Sequence, residues 1–542
     1  MLADLVAGGV REVVLAPGSR SAPLALALHA ADAAGQVRLH VRLDERTAGF
    51  LALGLAVGSR GPVAVVTTSG TAVGNLLPAV MEAHHSGRQV IVVSADRPDA
   101  LRGTGANQTT DQAGIFGVFA PCTDLEPDAS PEFVDAAVAL ACSRPGPSQL
   151  NLQLAEPLLG PPSSGMPVVA APPTRPPARV AHTTGEVLPR GPRTVVVAGD
   201  DAGSAARILA ERAGWPLLAE PTSGARVGDH AIRTYRLLLG TDLGRQVERV
   251  VVLGHPTLSR PVTRLLSSPD LEVLAAPGPG GVVTDPGRVA RHLSAVPDVA
   301  ADTPDAVATA AETDWLEQWR RADRDLSARV DALVDGEPAL GALQVAREVA
   351  AAVTPWASLV VGSSNPVRDL DLMMTPYAPR QHRSVVGNRG LAGIDGTVST
   401  AVGVALGRPQ ATRTIALLGD VTFLHDAGGL VLGPDEPRPD LTIVVVNDDG
   451  GSIFATLEQG ADDYAPAFER VFATPHHVDL EALCAASHTA YRKVRTAAEL
   501  REVLAEDPVG IRVVEAPVSR AGRRAQAAAI TALAADGGQS PR

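Results

Sequence analysis

The sequence has few of the residues on which several common chemistries depend. Its 542 residues include a single lysine, Lys493, and three widely spaced cysteines. Without a Gly-Lys pair there is no Walker A loop, and a Schiff-base mechanism is disfavoured. The cysteines form no CxxC pair, so we predict neither a zinc site nor a disulfide framework. A reducing cytoplasm is the expected location.

Acidic residues outnumber basic ones, 60 to 47, and long apolar runs are lacking. The formal net charge is −13 at pH 7, which argues against a nucleic-acid partner because phosphate backbones attract basic surfaces. We expect neither a membrane span nor a signal peptide. No GxGxxG loop or HExxH pair occurs. The adjacent histidines His84-His85 and His476-His477 are interpreted as surface or packing residues, since neighbours do not share one helix face.

The length and composition predict several α/β domains. Apolar residues make up 45% of the chain, with 52 Gly and 44 Pro, and 542 residues exceed one hydrophobic core. Strand-like stretches alternate with helix-like ones, which predicts doubly wound parallel sheets in three domains. The predicted organisation is a first domain over 1–160, a Pro-rich linker over 161–192, a central domain over 193–300, a helical connection over 301–337 and a third domain over 338–542.

Individual elements follow from hydrophobic periodicity. The central block has few polar clusters, so we expect a structural role for it. Predicted strands are Glu12–Ala16, Val63–Thr67, Gln89–Ser94, Thr194–Ala198 and Arg249–Leu253. Predicted helices are Ala48–Val57, Thr71–Ala83, Asp314–Val334 and Leu340–Val353.

Two apolar runs in the third block end in acidic and glycine residues. One closes with Gly419-Asp420 and the other with Asn447-Asp448-Asp449-Gly450. Ligands bind at the carboxyl ends of parallel strands, and Mg²⁺ prefers a few carboxylates together with substrate phosphates. The interval from Asp420 to Asp448 resembles the diphosphate-binding signature of thiamine-diphosphate enzymes. The alternative is that both are ordinary strand ends with Asp as a helix cap.

Glu45 is the candidate partner for N1′ of the thiamine aminopyrimidine. It lies in the run Leu43-Asp-Glu-Arg-Thr, where a predicted strand ends and a helix begins. A carboxyl group bonded to N1′ favours the imino form that deprotonates the thiazolium C2. The alternative is that Asp44 and Glu45 favour a helix N-terminus through its dipole.

Further motifs extend the resemblance over nearly the whole chain, most specifically in the first and third blocks. The sequence resembles the 2-succinyl-5-enolpyruvyl-6-hydroxy-3-cyclohexene-1-carboxylate (SEPHCHC) synthase family of menaquinone biosynthesis, within the thiamine-diphosphate decarboxylase superfamily. The segments that carry the resemblance are Ala16-Pro-Gly-Ser-Arg-Ser, Thr67-Thr-Ser-Gly-Thr, Ala95-Asp-Arg-Pro, Gly103-Thr-Gly-Ala-Asn-Gln, Ser363-Ser-Asn-Pro-Val-Arg, Asn388-Arg-Gly-Leu-Ala-Gly-Ile-Asp-Gly and Gly450-Gly-Ser-Ile-Phe.

The resemblance implies an activity and a cofactor. The family decarboxylates 2-oxoglutarate on thiamine diphosphate and adds the resulting succinyl carbanion to isochorismate. Glu45 would activate the cofactor. The side chains of Asp420 and Asp448 and the carbonyl of Gly450 would hold Mg²⁺, or Mn²⁺ in its place. Ile394 would be the apolar wedge that keeps the cofactor bent.

The remaining roles are also carried over by motif. Further cofactor contacts would come from Thr68, Gly70, Ser364, Gly419, Val421 and Ile453. Substrate binding would involve Ser19, Arg20, Arg97, Asn107, Asn365, Ile453 and Phe454. Gln108, Arg368 and Arg389 would take part in catalysis.

The charges of the substrates agree with these assignments. Both substrates are dicarboxylates, and the planar fork of arginine suits carboxylate binding. Arg20, Arg97, Arg368 and Arg389 all lie in matched motifs, although a surface ion pair is the usual role of an arginine. One departure concerns the metal. The family commonly has Asn where this chain has Asp448, and Asn447 stays open as the ligand.

The resemblance also implies a homodimer or a dimer of dimers, with each active site at an interface. One alternative is an acetolactate-synthase-like or simple 2-oxoacid decarboxylase, for which the arginine-rich motifs would have no purpose. Another is a non-catalytic subunit of the same fold. Such a subunit would not need both Glu45 and the acidic metal motif.

Overall fold

The computed structural model describes residues 1–159, 185–300 and 310–536, and contains three main parallel β-sheets. The α/β class with doubly wound parallel sheets, predicted from the alternation of elements, is confirmed. Most of the predicted linker 161–192 and the beginning of the connection 301–337 lie outside the described residues. The exact domain boundaries stay a prediction.

The first sheet has six strands, and each pair of neighbours is parallel. In chain order they are Glu12–Leu15, Arg38–Val41, Val63–Thr67, Val90–Asp96, Cys122–Leu125 and Ser148–Gln153, and in space they lie in the order second, first, third, fourth, sixth, fifth. The helices are Leu2–Ala7, Ala22–Ala33, Glu45–Ser59, Thr71–Gly74, Leu77–His85 and Pro131–Ser143.

The central sheet has five parallel strands. They are Thr194–Ala198, Leu217–Ala219, Arg249–Leu253, Glu272–Ala275 and Arg291–His292, in the spatial order fifth, fourth, third, first, second. The helices here are Gly203–Ala213, Tyr235–Leu238, Asp242–Arg245 and Arg260–Leu266. A separate pair joins Val187–Leu188, inside the range predicted as linker, to Asp298–Val299.

The third sheet repeats the strand order of the first. Its strands are Ser358–Val361, Ser384–Val386, Thr414–Gly419, Leu441–Asn447, Ala490–Lys493 and Ile511–Pro517. The helices of this part are Ala310–Asp335, Ala342–Ala352, Asn365–Met373, Thr397–Gly407, Asp420–His425, Ala465–Phe468, Leu480–Ala486, Ala497–Ala505 and Arg523–Asp536. The two strands with the acidic ends are adjacent and parallel.

One predicted helix is wrong in its continuity. The pattern predicts a single helix over Thr71–Ala83, whereas the structure has Thr71–Gly74 and then Leu77–His85. Pro78 lies at the start of the second helix. Because proline has no backbone N–H and its ring clashes with the preceding turn, an uninterrupted helix through this position is disfavoured.

The first and third sheets are joined by a close helix pair. Helix Glu45–Ser59 packs against helix Thr397–Gly407 through glycines. A Cβ on Gly54 would overlap the Thr400 carbonyl, and one on Gly403 would overlap the Leu51 carbonyl. Side chains from both helices share one buried core. The helix that begins at Glu45 is therefore fixed against the third part of the chain.

In the described part of the chain, no helix is long and apolar enough to cross a membrane.

Candidate active site

The two acidic strand ends meet at one edge of the third sheet. Strand Thr414–Gly419 leads directly into helix Asp420–His425, and Asp420 is buried. The Asp420 carboxylate accepts hydrogen bonds from the backbone N–H groups of Val421 at 2.7 Å and Gly450 at 2.8 Å. The two motifs, which are distant in sequence, thus form a single structure around this carboxylate.

Asp448, and not Asn447, faces Asp420. The Asn447 amide donates to Glu515 at 2.9 Å, while its oxygen accepts from the N–H of Asp449 at 3.1 Å. The pKa of Asp448 is raised to about 7, chiefly by burial. A hydrogen bond with Ser452 opposes this rise, and the nearby Asp420 charge adds to it.

This pair of acids fits a divalent cation. Two carboxylates brought together out of water repel each other, and a bound cation removes that repulsion while favouring the ionised forms. In the described residues no group of three or more His, Cys, Asp or Glu side chains could hold a metal. Two carboxylates, a carbonyl and phosphate oxygens are a suitable donor set for Mg²⁺. Asp420, Asp448 and the Gly450 carbonyl could therefore hold one.

Gly450 has a backbone conformation that only glycine adopts readily. Its φ is +142°, and a Cβ would overlap the carbonyl oxygen of Ala473. Gly419, at the end of the other strand, has an extended backbone. A Cβ added there would have only the Pro366 ring within 4 Å.

His476 is a site residue that the sequence pattern did not reveal. Its Nε2 lies 3.1 Å from the Asp420 carboxylate, and its backbone N–H donates to Asp449 at 3.2 Å. The backbone N–H of His477 also donates to Asp449, at 2.8 Å. His476 is 56 positions from Asp420, so only the fold brings them together. The structure gives the predicted surface or packing residue His476 a specific contact, with the carboxylate of Asp420.

The segment around Ser364 joins the acidic edge to the substrate residues. Ser364 has φ +72° and precedes helix Asn365–Met373. Its carbonyl accepts from Arg368 at 2.6 Å, and the Asn365 amide donates to the Ser452 hydroxyl at 2.7 Å. Since Ser452 also forms a hydrogen bond with Asp448, a single residue, Ser452, connects Asn365 to the acidic pair.

Arg368 and Arg389 form a cationic pair beside this segment. Arg389 is buried and donates to the hydroxyls of Ser363 at 3.4 Å and Thr257 at 3.1 Å. Burial lowers the pKa of Arg368, and the neighbouring charge of Arg389 lowers it further. Two close guanidinium groups with neutral partners are suited to an anion. Thr257 belongs to the central domain, so this domain also contributes a contact here. The sequence did not indicate this, because the central domain has few polar clusters.

A cavity of about 950 Å³ adjoins Arg368. Asn365 and Arg368 form part of its wall, together with Arg236, Arg260 and Arg523. Its volume is in the range of small-molecule sites.

The third part of the chain also contains the predicted apolar residues. Ile394 is half-buried, and its carbonyl accepts from the Thr397 hydroxyl at 3.2 Å. Ile453 and Phe454 are half-buried in the segment that follows the Asp448 turn, and the Phe454 ring lies 5.8 Å from that of Phe472. All three remain partly accessible at the site edge.

A second group of predicted residues gathers in the first domain. Arg97 donates to the carbonyl of Gln108 at 2.8 Å and also to the Ser69 hydroxyl. The Gln108 amide donates to the Ser69 carbonyl at 2.9 Å, and Gly70, with φ +80°, packs under Gln108. Burial lowers the pKa of Arg97, and the charge of Arg20 lowers it further.

The other first-domain residues surround this group. Arg20 donates to the Leu154 carbonyl at 2.9 Å. Thr68 is buried and leaves no room for a Cβ on Gly18. Ser19 and Asn107 are exposed.

Glu45 lies in the first turn of its helix. The cap is Asp44, whose carboxylate accepts from the N–H groups of Arg46 at 2.8 Å and Thr47 at 3.4 Å. Glu45 itself is half-buried and accepts from the Asn75 amide at 3.4 Å. The capping explanation therefore accounts for Asp44 and leaves the Glu45 carboxylate available. Arg46 donates to the His425 carbonyl at 2.8 Å.

The predicted residues thus form two groups within one chain. Among the described residues, no hydrogen bond or ion pair joins the first-domain group to the third-domain group. The first consists of Ser19, Arg20, Glu45, Thr68, Gly70, Arg97, Asn107 and Gln108. The second consists of Ser364, Asn365, Arg368, Arg389, Ile394, Gly419, Asp420, Val421, Asp448, Gly450, Ile453 and Phe454.

Comparisons with known proteins match two separate parts of the chain. Residues 1–115 match the model of the N-terminal TPP binding domain of thiamine pyrophosphate enzymes, and residues 370–513 match the C-terminal one. A Nocardioides protein named 2-succinyl-5-enolpyruvyl-6-hydroxy-3-cyclohexene-1-carboxylate synthase is 59% identical over 97% of this chain and 95% of its own length. Equally named proteins of Paenarthrobacter aurescens and Kineococcus radiotolerans are 46% and 49% identical over 96% and 95% of this chain and 93% and 94% of their own lengths. The chain therefore belongs to the 2-succinyl-5-enolpyruvyl-6-hydroxy-3-cyclohexene-1-carboxylate synthase family.

Proposed function

We propose that this protein makes SEPHCHC by decarboxylating 2-oxoglutarate and adding the remaining succinyl unit to isochorismate. The observation that carries the proposal is the position of the Arg368 and Arg389 pair. Both arginines bond the Ser363–Ser364 backbone and hydroxyl groups, the next residue Asn365 is linked through Ser452 to the acidic strand-end pair, and Arg368 lines a cavity of about 950 Å³. The family membership supports the same reaction.

We further propose that Asp420, Asp448 and the Gly450 carbonyl hold Mg²⁺, with Mn²⁺ as a substitute. The hydrogen bonds of Asn447 to Glu515 and Asp449 support Asp448 as the ligand. Backbone at Gly419, Val421 and Ser364 would approach the diphosphate. Bound thiamine diphosphate would supply a nucleophilic carbon for the 2-oxo acid and an acceptor for the electrons released with CO₂.

Glu45 would hold and exchange the proton at N1′ of the aminopyrimidine. Its carboxylate projects from the first helical turn, where the adjacent cap Asp44 already satisfies the N–H groups. A carboxylate that is not used as a cap is free to bond another group. Ile394 would support the bent cofactor between its two rings, and Thr68 and Gly70 would contact its aminopyrimidine side.

The arginines would bind the carboxylates of both substrates. Arg368 and Arg389 are buried or partly buried and have neutral hydrogen-bond acceptors among the described residues, so a ligand carboxylate would not have to displace a direct ion pair from either. Arg20 and Arg97 form a second pair in the first-domain group, in which Arg20 also contacts the exposed carboxylate of Glu156 at 3.5 Å. Charge-assisted bidentate pairs of this kind orient a dicarboxylate as well as binding it. Asn107, Gln108, Ser19, Asn365, Ile453 and Phe454 would complete the walls.

Each complete site would form between two chains. The first-domain and third-domain groups have no hydrogen bond or ion pair between them within one described chain, which supports a homodimer or dimer of dimers. In that assembly, Glu45 of one subunit would serve the metal site of the other. The three cysteines are free, which is consistent with the proposed reducing, cytoplasmic location.

One assay tests the proposal. Purified protein is incubated with thiamine diphosphate, Mg²⁺, 2-oxoglutarate and isochorismate, and the product mass is followed by mass spectrometry. We expect SEPHCHC and CO₂ in equal amounts. CO₂ release that does not depend on isochorismate, with no adduct, would favour a simple 2-oxoacid decarboxylase. No turnover of any 2-oxo acid would favour a non-catalytic subunit.

A further inference from the structure

A buried glutamate of the first domain holds the backbone beside Arg389. Glu82 lies on helix Leu77–His85 and is 4% exposed. Its two carboxylate oxygens accept hydrogen bonds from the backbone N–H groups of Gly390 at 2.7 Å and Leu391 at 2.8 Å. The residues are more than 300 positions apart. Nothing in the sequence pattern singles out Glu82.

The contact requires an ionised carboxylate in a fixed place. Both oxygens act as acceptors, and a protonated carboxyl would turn one O–H towards an N–H. Burial raises the Glu82 pKa, while the two N–H groups and the Arg389 charge oppose that rise. A Cβ on Gly390 would lie 2.9 Å from the Cβ of His85 and 3.0 Å from the carbonyl oxygen of Glu82. Helix and loop are therefore in close contact, with little freedom to shift.

The same loop determines where the Arg389 side chain points. Arg389 immediately precedes the two N–H groups that Glu82 binds. Its guanidinium contacts only hydroxyl oxygens, those of Ser363 and Thr257, among its hydrogen-bond partners in the described residues. Hydroxyl contacts at 3.1 and 3.4 Å are weak restraints for a long side chain. The backbone contact to Glu82 is thus the firmest local restraint on its direction.

We propose that Glu82 is a positioning residue for Arg389, and that it thereby sets how tightly the enzyme binds the carboxylate that Arg389 holds. This inference rests on the proposed function, because that function assigns a substrate carboxylate to Arg389. Glu82 acts through the loop and touches no substrate.

The test compares Glu82→Gln with Arg389→Lys and with the double variant. Glutamine keeps the size of the side chain but offers one acceptor oxygen, so one N–H loses its partner. Glu348→Gln is the matched control. Glu348 is 7% exposed and likewise makes two hydrogen bonds, to Arg501 at 3.0 and 2.8 Å, away from the described site.

Two measurements are made on holoenzyme. Hydrogen–deuterium exchange should speed up in peptides covering 386–394 of Glu82→Gln and stay unchanged elsewhere. In steady-state kinetics, Arg389→Lys identifies the substrate whose carboxylate Arg389 binds. The KM for that substrate should rise about tenfold or more in Glu82→Gln, with kcat changed by less than about threefold. The double variant should be no worse than the poorer single variant, since contacting residues are not additive.

Several outcomes would overturn the inference. One is unchanged exchange at 386–394. Another is a KM pattern unlike that of Arg389→Lys, and a third is full additivity in the double variant. Faster exchange throughout the first domain, with a general loss of kcat, would assign Glu82 a merely structural role. If wild-type protein does not turn over 2-oxoglutarate, the proposed function fails, while the exchange data still decide whether Glu82 holds the loop.

Discussion

The backbone N–H of Gly450 donates a hydrogen bond of 2.8 Å to the carboxylate of Asp420. This one contact joins the ends of two adjacent parallel strands, Thr414–Gly419 and Leu441–Asn447. It places Asp448 within the electrostatic reach of Asp420 and leaves Gly450 in a conformation with φ +142°. The metal site that we propose depends on this geometry more than on any single residue type.

Replacing Asp420 should abolish binding of the cofactor with its metal. Asp420→Ala removes one of two carboxylates and frees the Gly450 N–H, so Mg²⁺-dependent binding of thiamine diphosphate should be lost in a folded protein. Calorimetric titration measures this. Asp440→Ala is the control, because Asp440 precedes the opposite end of the Asp448 strand and bonds the Gly510 N–H at 2.8 Å. Equal cofactor affinity in Asp420→Ala and wild type would contradict the metal assignment.

Replacing Glu45 should slow proton transfer without preventing cofactor binding. In Glu45→Gln the amide keeps the size of the side chain but cannot exchange the proton at N1′. We expect C2 deprotonation to slow by about 10²- to 10⁴-fold, as for other positioned proton-transfer groups. Hydrogen–deuterium exchange at C2, followed by NMR, gives the rate. Asp44→Asn, which preserves a helix cap, should exchange at nearly the wild-type rate. A wild-type rate in Glu45→Gln would exclude this role.

The sheets and the acidic strand ends could be predicted from sequence because their signals are local. Short β-branched runs ending in Gly and Asp gave Thr414–Gly419, Leu441–Asn447, Thr194–Ala198 and Arg249–Leu253 to within a residue. The resemblance supplied Asp420 and Asp448 as candidates. Sequence alone left Asn447 open, and the contact that decides its orientation, to Glu515 on a neighbouring strand, depends on register.

The residues that sequence reasoning missed have no local pattern. His476, Thr257 and Glu82 reach the site from segments far from their partners in the chain. In the sequence, Glu82 cannot be distinguished from any other helical glutamate. Only the fold shows that it is buried and which backbone N–H groups it binds. The helix break near Pro78, in contrast, had a local signal, the proline itself. In the sequence-based prediction the helical periodicity on both sides outweighed that signal.

The substrate preference should follow from the arginines. Wild-type protein should prefer 2-oxoglutarate to pyruvate, which lacks the distal carboxylate. Leaving one buried arginine unpaired should cost about 2–5 kcal/mol, or about 30- to several-thousand-fold in kcat/KM. Arg→Ala variants at the four matched positions should divide into two sets. One set impairs decarboxylation, and the other impairs only the addition to isochorismate. Comparable turnover of pyruvate and 2-oxoglutarate would favour the acetolactate-synthase-like alternative.

A buried carboxyl in the central domain should make stability depend on pH. Glu220 is 1% exposed, accepts from the Leu258 N–H at 2.8 Å through one oxygen and has no described partner for the other. Burial raises its pKa to about 8. The folded state therefore keeps a proton that the unfolded chain, with a pKa near about 4.3, has lost. The contribution of Glu220 to the free energy of unfolding is fully present at pH values below the unfolded pKa, and it is lost as the pH rises to about 8.

Glu220→Gln keeps a neutral side chain at every pH and should remove this loss. The variant should have a higher Tm than wild type at pH 8, with the difference shrinking as the pH approaches 5. Thermal unfolding between pH 5 and pH 9 measures it. Glu272→Gln, at a half-exposed position in the same sheet, should follow the wild-type curve. A constant difference between Glu220→Gln and wild type at all pH values would show that Glu220 does not bind the proton.

The two-group arrangement predicts complementation between inactive chains. Glu45→Gln damages the first-domain group and Asp420→Ala the third-domain group. If each site combines one group from each of two subunits, a mixed dimer has one site with both changes and one site with neither. Random pairing makes half the dimers mixed, and each has one intact site of two, so activity should recover to about a quarter of wild type.

The experiment requires subunit exchange, either by co-expression with two affinity tags or by joint refolding. The mixed dimer is then isolated through both tags and should have about half the wild-type activity per dimer. Two variants of the same group, Glu45→Gln and Arg97→Ala, are the control, because every site in their mixed dimers contains one change and activity should not recover. The helix beginning at Glu45 also contacts the third part of its own chain, through Arg46 and the His425 carbonyl at 2.8 Å. A complete lack of recovery would therefore mean that Glu45 serves the metal site of the same subunit.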